Sequence, residues 1–120
     1  MADRVLLIGW GAAVRGREER ALEVFDEAVG ILGRMQQEER IEKMDVVLLD
    51  PNAELAGFMV VHGSAEQLAA LRQDDEFLQN TTDAELIVDG LRHIEGYTNE
   101  GVPRMMDVFR QAVAKVPQTA

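Results

Sequence analysis

Two short runs in this chain are apolar at every position: Val5-Leu6-Leu7-Ile8 and Val46-Val47-Leu48-Leu49. A strand that packs one face on a core and wets the other alternates apolar and polar residues. A continuous apolar run belongs to a strand covered on both faces. The sequence offers only two main helices to lie on a sheet, and both fall on the same side of it. The second face therefore needs another cover, and the cover expected here is a second copy of the chain.

The 120 residues are expected to form one domain, residues 1–120. A chain of this length buries roughly two thirds of its unfolded surface, enough for a core without covalent staples. There are no cysteines, which excludes disulfides, thiolate metal sites and thiol nucleophiles. The start, Met1-Ala2-Asp3-Arg4, lacks the basic and apolar regions of a signal peptide, and no stretch reaches the roughly 18 apolar residues of a membrane span. The expectation is a cytoplasmic protein with no membrane partner. The net charge of −10 repels nucleic acid, and the cations are interleaved with acids, as in Arg17-Glu18-Glu19-Arg20. No nucleic-acid partner is expected.

Periodicity gives the element order. Residues 4–10 read as a strand closed by Gly9-Trp10-Gly11. From Arg17 to about Ile41, Leu22, Phe25, Val29 and Leu32 recur at helical spacing. Gly30 and Gly33 lie mid-helix, where each costs up to about 1 kcal/mol against alanine; close packing on the sheet would explain them. A second strand spans Asp45 to Asp50, Pro51-Asn52-Ala53-Glu54 turns the chain, and Gly57 to His62 returns as a third. Ser64 caps a helix from Ala65 to about Leu71, and a second helical piece runs from Asp74 to about Gln79. Thr81-Thr82-Asp83 is expected to break it, with a fourth strand from Glu85 to Ile94. A C-terminal helix from Val102 to about Val116 tolerates Pro103 in its first turn, with Met105, Met106 and Phe109 as its docking face. This is an α+β, ferredoxin-like βαββαβ order with an extra C-terminal helix.

That order, the Gly16-Arg17-Glu18-Glu19 opening of the first helix and the Phe77-Leu78 pair after the short second helix resemble the dimeric α/β-barrel superfamily. The resemblance covers most of residues 4–97 and is one of pattern, with the subfamily unassigned. It implies two sheets meeting face to face in a homodimeric barrel. Its members include antibiotic-biosynthesis monooxygenases, haem-degrading monooxygenases, muconolactone isomerases and YCII-like proteins. The haem-cleaving members use an asparagine on the first strand and a histidine on a helix. Here the asparagines are Asn52, Asn80 and Asn99, and both histidines fall on expected strands. YCII-like members use an early His with an Asp, and no histidine precedes His62 here. No family catalytic residue carries across.

Other fingerprints fail too. Gly9-x-Gly11 lacks a third glycine, since position 14 is Val14, and Gly11-x-x-x-x-Gly16 is followed by Arg17-Glu18 where a phosphate loop needs Lys then Ser or Thr. The strongest polar constellation is on the fourth strand. Counted by twos, Ile87, Asp89, Leu91, His93, Glu95 and Tyr97 share one side. His93 between Asp89 and Glu95 could serve as a general base, its pKa raised by a carboxylate; the same residues could equally be a solvated edge or a dimer-interface network. Trp10, His62 and Tyr97 are the candidate ligand contacts. Both aromatics would serve as well as core or interface anchors. No His-x-His or His-x-x-x-His spacing supports a metal, and no cofactor is expected. The readings that remain are a homodimer that binds or converts a small organic molecule without a metal, with His93, Asp89 and Glu95 as its chemistry, and a non-enzymatic dimerisation or interaction module. Haem or flavin handling stands third, because its usual residues are missing.

Overall fold

The structure is a computed structural model and describes residues 2–119. Four strands, β1 (Arg4–Trp10), β2 (Lys43–Leu48), β3 (Gly57–Gly63) and β4 (Arg92–Tyr97), form one antiparallel sheet in the order β2-β3-β1-β4. Helices α1 (Glu18–Gln37), α2 (Ala65–Gln73) and α3 (Asp75–Glu85) connect them, and α4 (Gly101–Ala114) follows β4. The βαββαβ order with a terminal helix is the one the sequence predicts.

Register decides which side chains meet the helices. Leu6 stands opposite Val61 and Glu95, and Ile8 opposite Met59 and His93. These positions lie under α1, α2 and α3, where Leu6, Ile8, Met59 and Val61 join Ile31, Leu32, Met35, Leu68, Leu71 and Phe77 in the core. The alternate positions, Val5, Leu7, Phe58, Val60, Val47 and Ile94, point to the other side of the pleat. Among the described residues no helix packs on that side.

Local chemistry explains the boundaries. Ser64 begins α2 as expected: its hydroxyl accepts from the Gln67 amide at 3.1 Å and the Gln67 side chain accepts from the Ser64 amide at 2.9 Å. Asn52 ties the β2–β3 turn, its amide donating to the carbonyls of Asp50 and Leu55 and its oxygen accepting from the amides of Glu54 and Leu55.

Several expectations need correction. The first helix stops at Gln37, and Ile41 is buried in the connection to β2. Gly30 and Gly33 are not sites of close packing: a Cβ at either would meet nothing within 4 Å. Thr81-Thr82-Asp83 does not break α3, because the Thr82 hydroxyl donates to the Leu78 carbonyl within the helix (2.9 Å). The Asn80 side chain also donates to the Val24 carbonyl of α1 at 3.1 Å, which pins α3 in place.

The fourth strand accordingly starts at Arg92, not Glu85. Residues 87–89 do run beside the chain beyond β1: Val14 N donates to Ile87 O, Asp89 N to Ala12 O, and Gly11 N to Asp89 O at 2.7 Å. Gly11 is needed there, since a Cβ would lie 2.8 Å from the Asp89 carbonyl oxygen. Gly90, at φ +62°, then kinks the backbone, and pairing resumes at Arg92. Counting by twos across Gly90 is therefore invalid.

The two apolar runs do not share one environment. Leu6 and Ile8 are buried and Val5 and Leu7 half-buried, whereas β2 is an edge strand on which Val46, Val47 and Leu48 are all exposed, as is Leu49 just beyond it. The last helix departs further. Met105 is half-buried, but Met106 and Phe109 are exposed, so the docking face of α4 is not filled by its own chain. The radius of gyration is 17.1 Å, against about 14 Å for a compact chain of this length, and among the described residues α4 meets the body mainly at β4, through its first turn.

Candidate functional site

Between the sheet and helices α1 and α3 lies a cavity of about 440 Å3. Ile8, Met59 and His93 form its floor, Leu22, Phe25 and Leu32 its α1 wall, and Phe77, Asn80 and Ala84 its α3 wall. Trp10, Ile87 and Leu91 close the ends. Helix α1 runs beside α3 along its length: Arg20 pairs with Asp83, the Asn80 amide donates to the Val24 carbonyl, and Arg34 pairs with Glu76. Trp10 sits edge-on to Phe25, ring centroids 5.7 Å apart. The lining is overwhelmingly apolar, with few polar groups among it: the imidazole of His93, the amide of Asn80, the hydroxyl of Thr81 and, at the rim, Glu18. A second, smaller recess of about 340 Å3 shares Phe77, Thr81, Leu91 and His93 with the first and adds Arg72 and Glu85. His93 thus stands between an apolar chamber and a charged recess.

The electrostatics of His93 are opposite to the expectation. Burial lowers its pKa from the ordinary 6.5, and the Arg72 guanidinium lowers it further, while Glu85 pulls weakly the other way. The ring packs against Phe77, tilted by 31° with centroids 5.6 Å apart. It is a neutral imidazole at neutral pH, able to donate from one nitrogen and accept at the other.

Of the remaining candidates, Asp89 is not on a strand: it is exposed in the loop before Gly90, and its backbone holds Gly11 and Ala12. Glu95 shares the His93 face but pairs with Arg72 at 3.5 Å. Asp89, His93 and Glu95 therefore do not form one cluster. His62 lies on the opposite side of the sheet, beside Asp45 at 3.4 Å. Tyr97 is clasped between the guanidinium groups of Arg4 (4.3 Å) and Arg104 (5.5 Å), away from the chamber. Only Trp10 and His93 of the predicted set line the cavity. Among the described residues no group of three or more His, Asp or Glu side chains converges as a metal site. Sequence reasoning missed Asn80, Phe77 and Ala84, whose helix it ended early, and read Leu22 and Phe25 only as core; their spacing carried no signal that they border a void.

No protein-family model matches the sequence, and no curated protein matches it. Solved structures do. A dimeric protein of unknown function with a ferredoxin-like fold from Bacteroides fragilis superposes with a TM-score of 0.59 at 11% identity, over 79% of this chain and 96% of that one. The fold is ferredoxin-like. A candidate antibiotic biosynthesis monooxygenase from Chloroflexus aurantiacus gives 0.55 at 17% identity, over 82% of this chain and 95% of that one. A Pseudomonas aeruginosa protein gives 0.62 at 14% identity, over 82% and 96%. At these identities the likeness concerns the fold. About a fifth of this ferredoxin-like chain has no counterpart in these matches, while the neighbours are covered almost whole.

Proposed function

We propose that this chain is a homodimeric protein that takes up a small, mostly apolar organic molecule between its sheet and helices α1 and α3. The carrying observation is the cavity of about 440 Å3, apolar except for a few convergent polar groups, of which His93 is the titratable one on the floor. A ligand with an apolar body and one polar end fits best: the body lies against Phe25, Phe77 and Met59, and the polar end faces His93 and the recess of Arg72 and Glu85. If the molecule is converted, His93 is the group that moves a proton, since a neutral imidazole serves as a base without first losing one. The candidate monooxygenase among the structural neighbours supports a small organic molecule as ligand. The dimeric neighbour and the sheet face turned away from the core, where Val47 and Ile94 are exposed and Val5, Leu7, Phe58 and Val60 half-buried, support a homodimer through that face.

Trp10, the sole tryptophan, sits at the chamber and reports its occupancy. Titration with 2-naphthol should change Trp10 fluorescence saturably. Ala84→Leu, which places a larger side chain in the chamber wall, should weaken that binding at least about tenfold by steric exclusion while leaving the circular dichroism unchanged. No saturable response in the parent protein, or equal affinity in the variant, would sink the reading.

A further inference from the structure

We infer that α4 is an exchanged clasp: its apolar stripe, Val102, Met106, Phe109 and Val113, docks on the body of a second copy of this chain. The inference rests on the homodimer proposed above and fails separately from it.

The root of α4 is fixed. The Asp3 carbonyl accepts from Thr98 N at 3.0 Å, and the Asn99 side chain donates to the Ala2 carbonyl at 2.6 Å. Gly101 lies so close to the residue that precedes β1 that a Cβ would be 2.6 Å from the Asp3 carbonyl oxygen. Tyr97 then links Arg4 of β1 to Arg104 of α4. The helix leaves the body in a set direction and is not a loose tail that folds back.

Beyond that root, the stripe is unused. Val102, Met106, Phe109 and Val113 recur at three- and four-residue spacing, and Phe109 is 62% exposed. A 14-residue helix is marginal in water without a partner for its apolar face. The partner must accept an apolar stripe bordered by Arg104, Arg110 and Lys115, with Asp107 the only acid of α4. The rest of this chain is strongly acidic, within a total of −10. A second copy supplies both an apolar face and negative charge, so the pairing is complementary in each respect.

Area points the same way. Four strands about 4.8 Å apart and six residues long present a footprint of about 400 Å2, short of the roughly 800 Å2 per partner of a standard stable interface. Each clasp adds about 200 Å2 from a helix some 21 Å long and 10 Å wide. A copy that gives its own clasp and receives its partner's reaches about 800 Å2.

The chain lacks cysteine, which permits a clean test. Ala112→Cys, on the exposed border of the stripe, is labelled with a benzophenone maleimide and irradiated in a mixture of 15N-labelled and unlabelled full-length chains. Expected are cross-linked peptide pairs of mixed isotope and a product of twice the 13.4 kDa chain mass. In sedimentation equilibrium, Phe109→Glu should weaken dimerisation at least about 100-fold, because it places an unpaired charge in an apolar contact. Ile94→Glu, on the sheet face, serves as the separate probe of the underlying dimer. Cross-links only within one chain, or wild-type association by Phe109→Glu, overturn the clasp; if Ile94→Glu alone then abolishes association, the sheet-face dimer stands without it. A wild-type monomer at every concentration overturns both.

Discussion

Helices α1 and α4 are written in the same pattern and meet opposite fates. Each carries an apolar stripe at helical spacing with charges on the far side. On α1 the stripe buries Val24, Ile31, Leu32 and Met35; on α4 only Gly101, at the root, is buried. The strands repeat the contrast, with β1 central and buried on its core side and β2 at the edge and exposed. An apolar stripe says that an element has a partner. It does not say whether that partner lies in the same chain, because the free energy gained by removing apolar area from water is indifferent to connectivity.

The sharpest way to break this comparison is to truncate both stripes. Leu32→Ala removes a side chain that is 0% exposed, and should cost about 2–5 kcal/mol in urea melts at any protein concentration. Val113→Ala, on the α4 stripe, should cost under about 0.5 kcal/mol in dilute solution, where the residue is a surface one. Its cost should grow as concentration rises and the clasp engages. An equal and concentration-independent cost for the two would mean that α4 has a partner within its own chain.

A smaller effect probes α1 from its outer side. Gly30 is exposed and a Cβ there meets nothing within 4 Å, so the glycine only weakens the helix. Gly30→Ala should raise stability by up to about 1 kcal/mol, read from the denaturation midpoint at unchanged m-value. A loss of stability would restore the close packing that the sequence suggested.

Legibility in the sequence followed the reach of the interaction. The start of α2 was readable because Ser64 and Gln67 satisfy each other within one turn. β1 and the middle of α1 were readable because their periodicity is local. The fourth strand was misplaced because its limits depend on distant residues: Asn80 holds α3 against Val24, and Gly90 kinks the chain where Asp89 has already paired with Gly11 and Ala12. The candidate site suffered in the same way. Counting placed Asp89 beside His93, while the kink leaves Asp89 exposed and pairs Glu95 with Arg72. A cavity is a mismatch between packed elements, and no residue spacing encodes it.

The smallest effect concerns the floor of that cavity and distinguishes the covered side of the sheet by its titration. His93 is held neutral by burial and by Arg72, so its folded-state pKa lies below the unfolded value of about 6.5. The unfolded chain therefore binds more protons in this window, and stability rises with pH. Through this group, stability is complete well above pH 6.5, falls as pH drops below 6.5, and stops falling once the folded-state pKa is passed. Because the ring is only half-buried, solvent screens the effect and the slope should be shallow. Urea melts from pH 8 to pH 5 should show this decline in the parent protein and a flatter profile in His93→Leu, which removes the titrating group. An unchanged profile in the variant would mean that the imidazole is as well solvated folded as unfolded, and that the chamber is open to water at its floor.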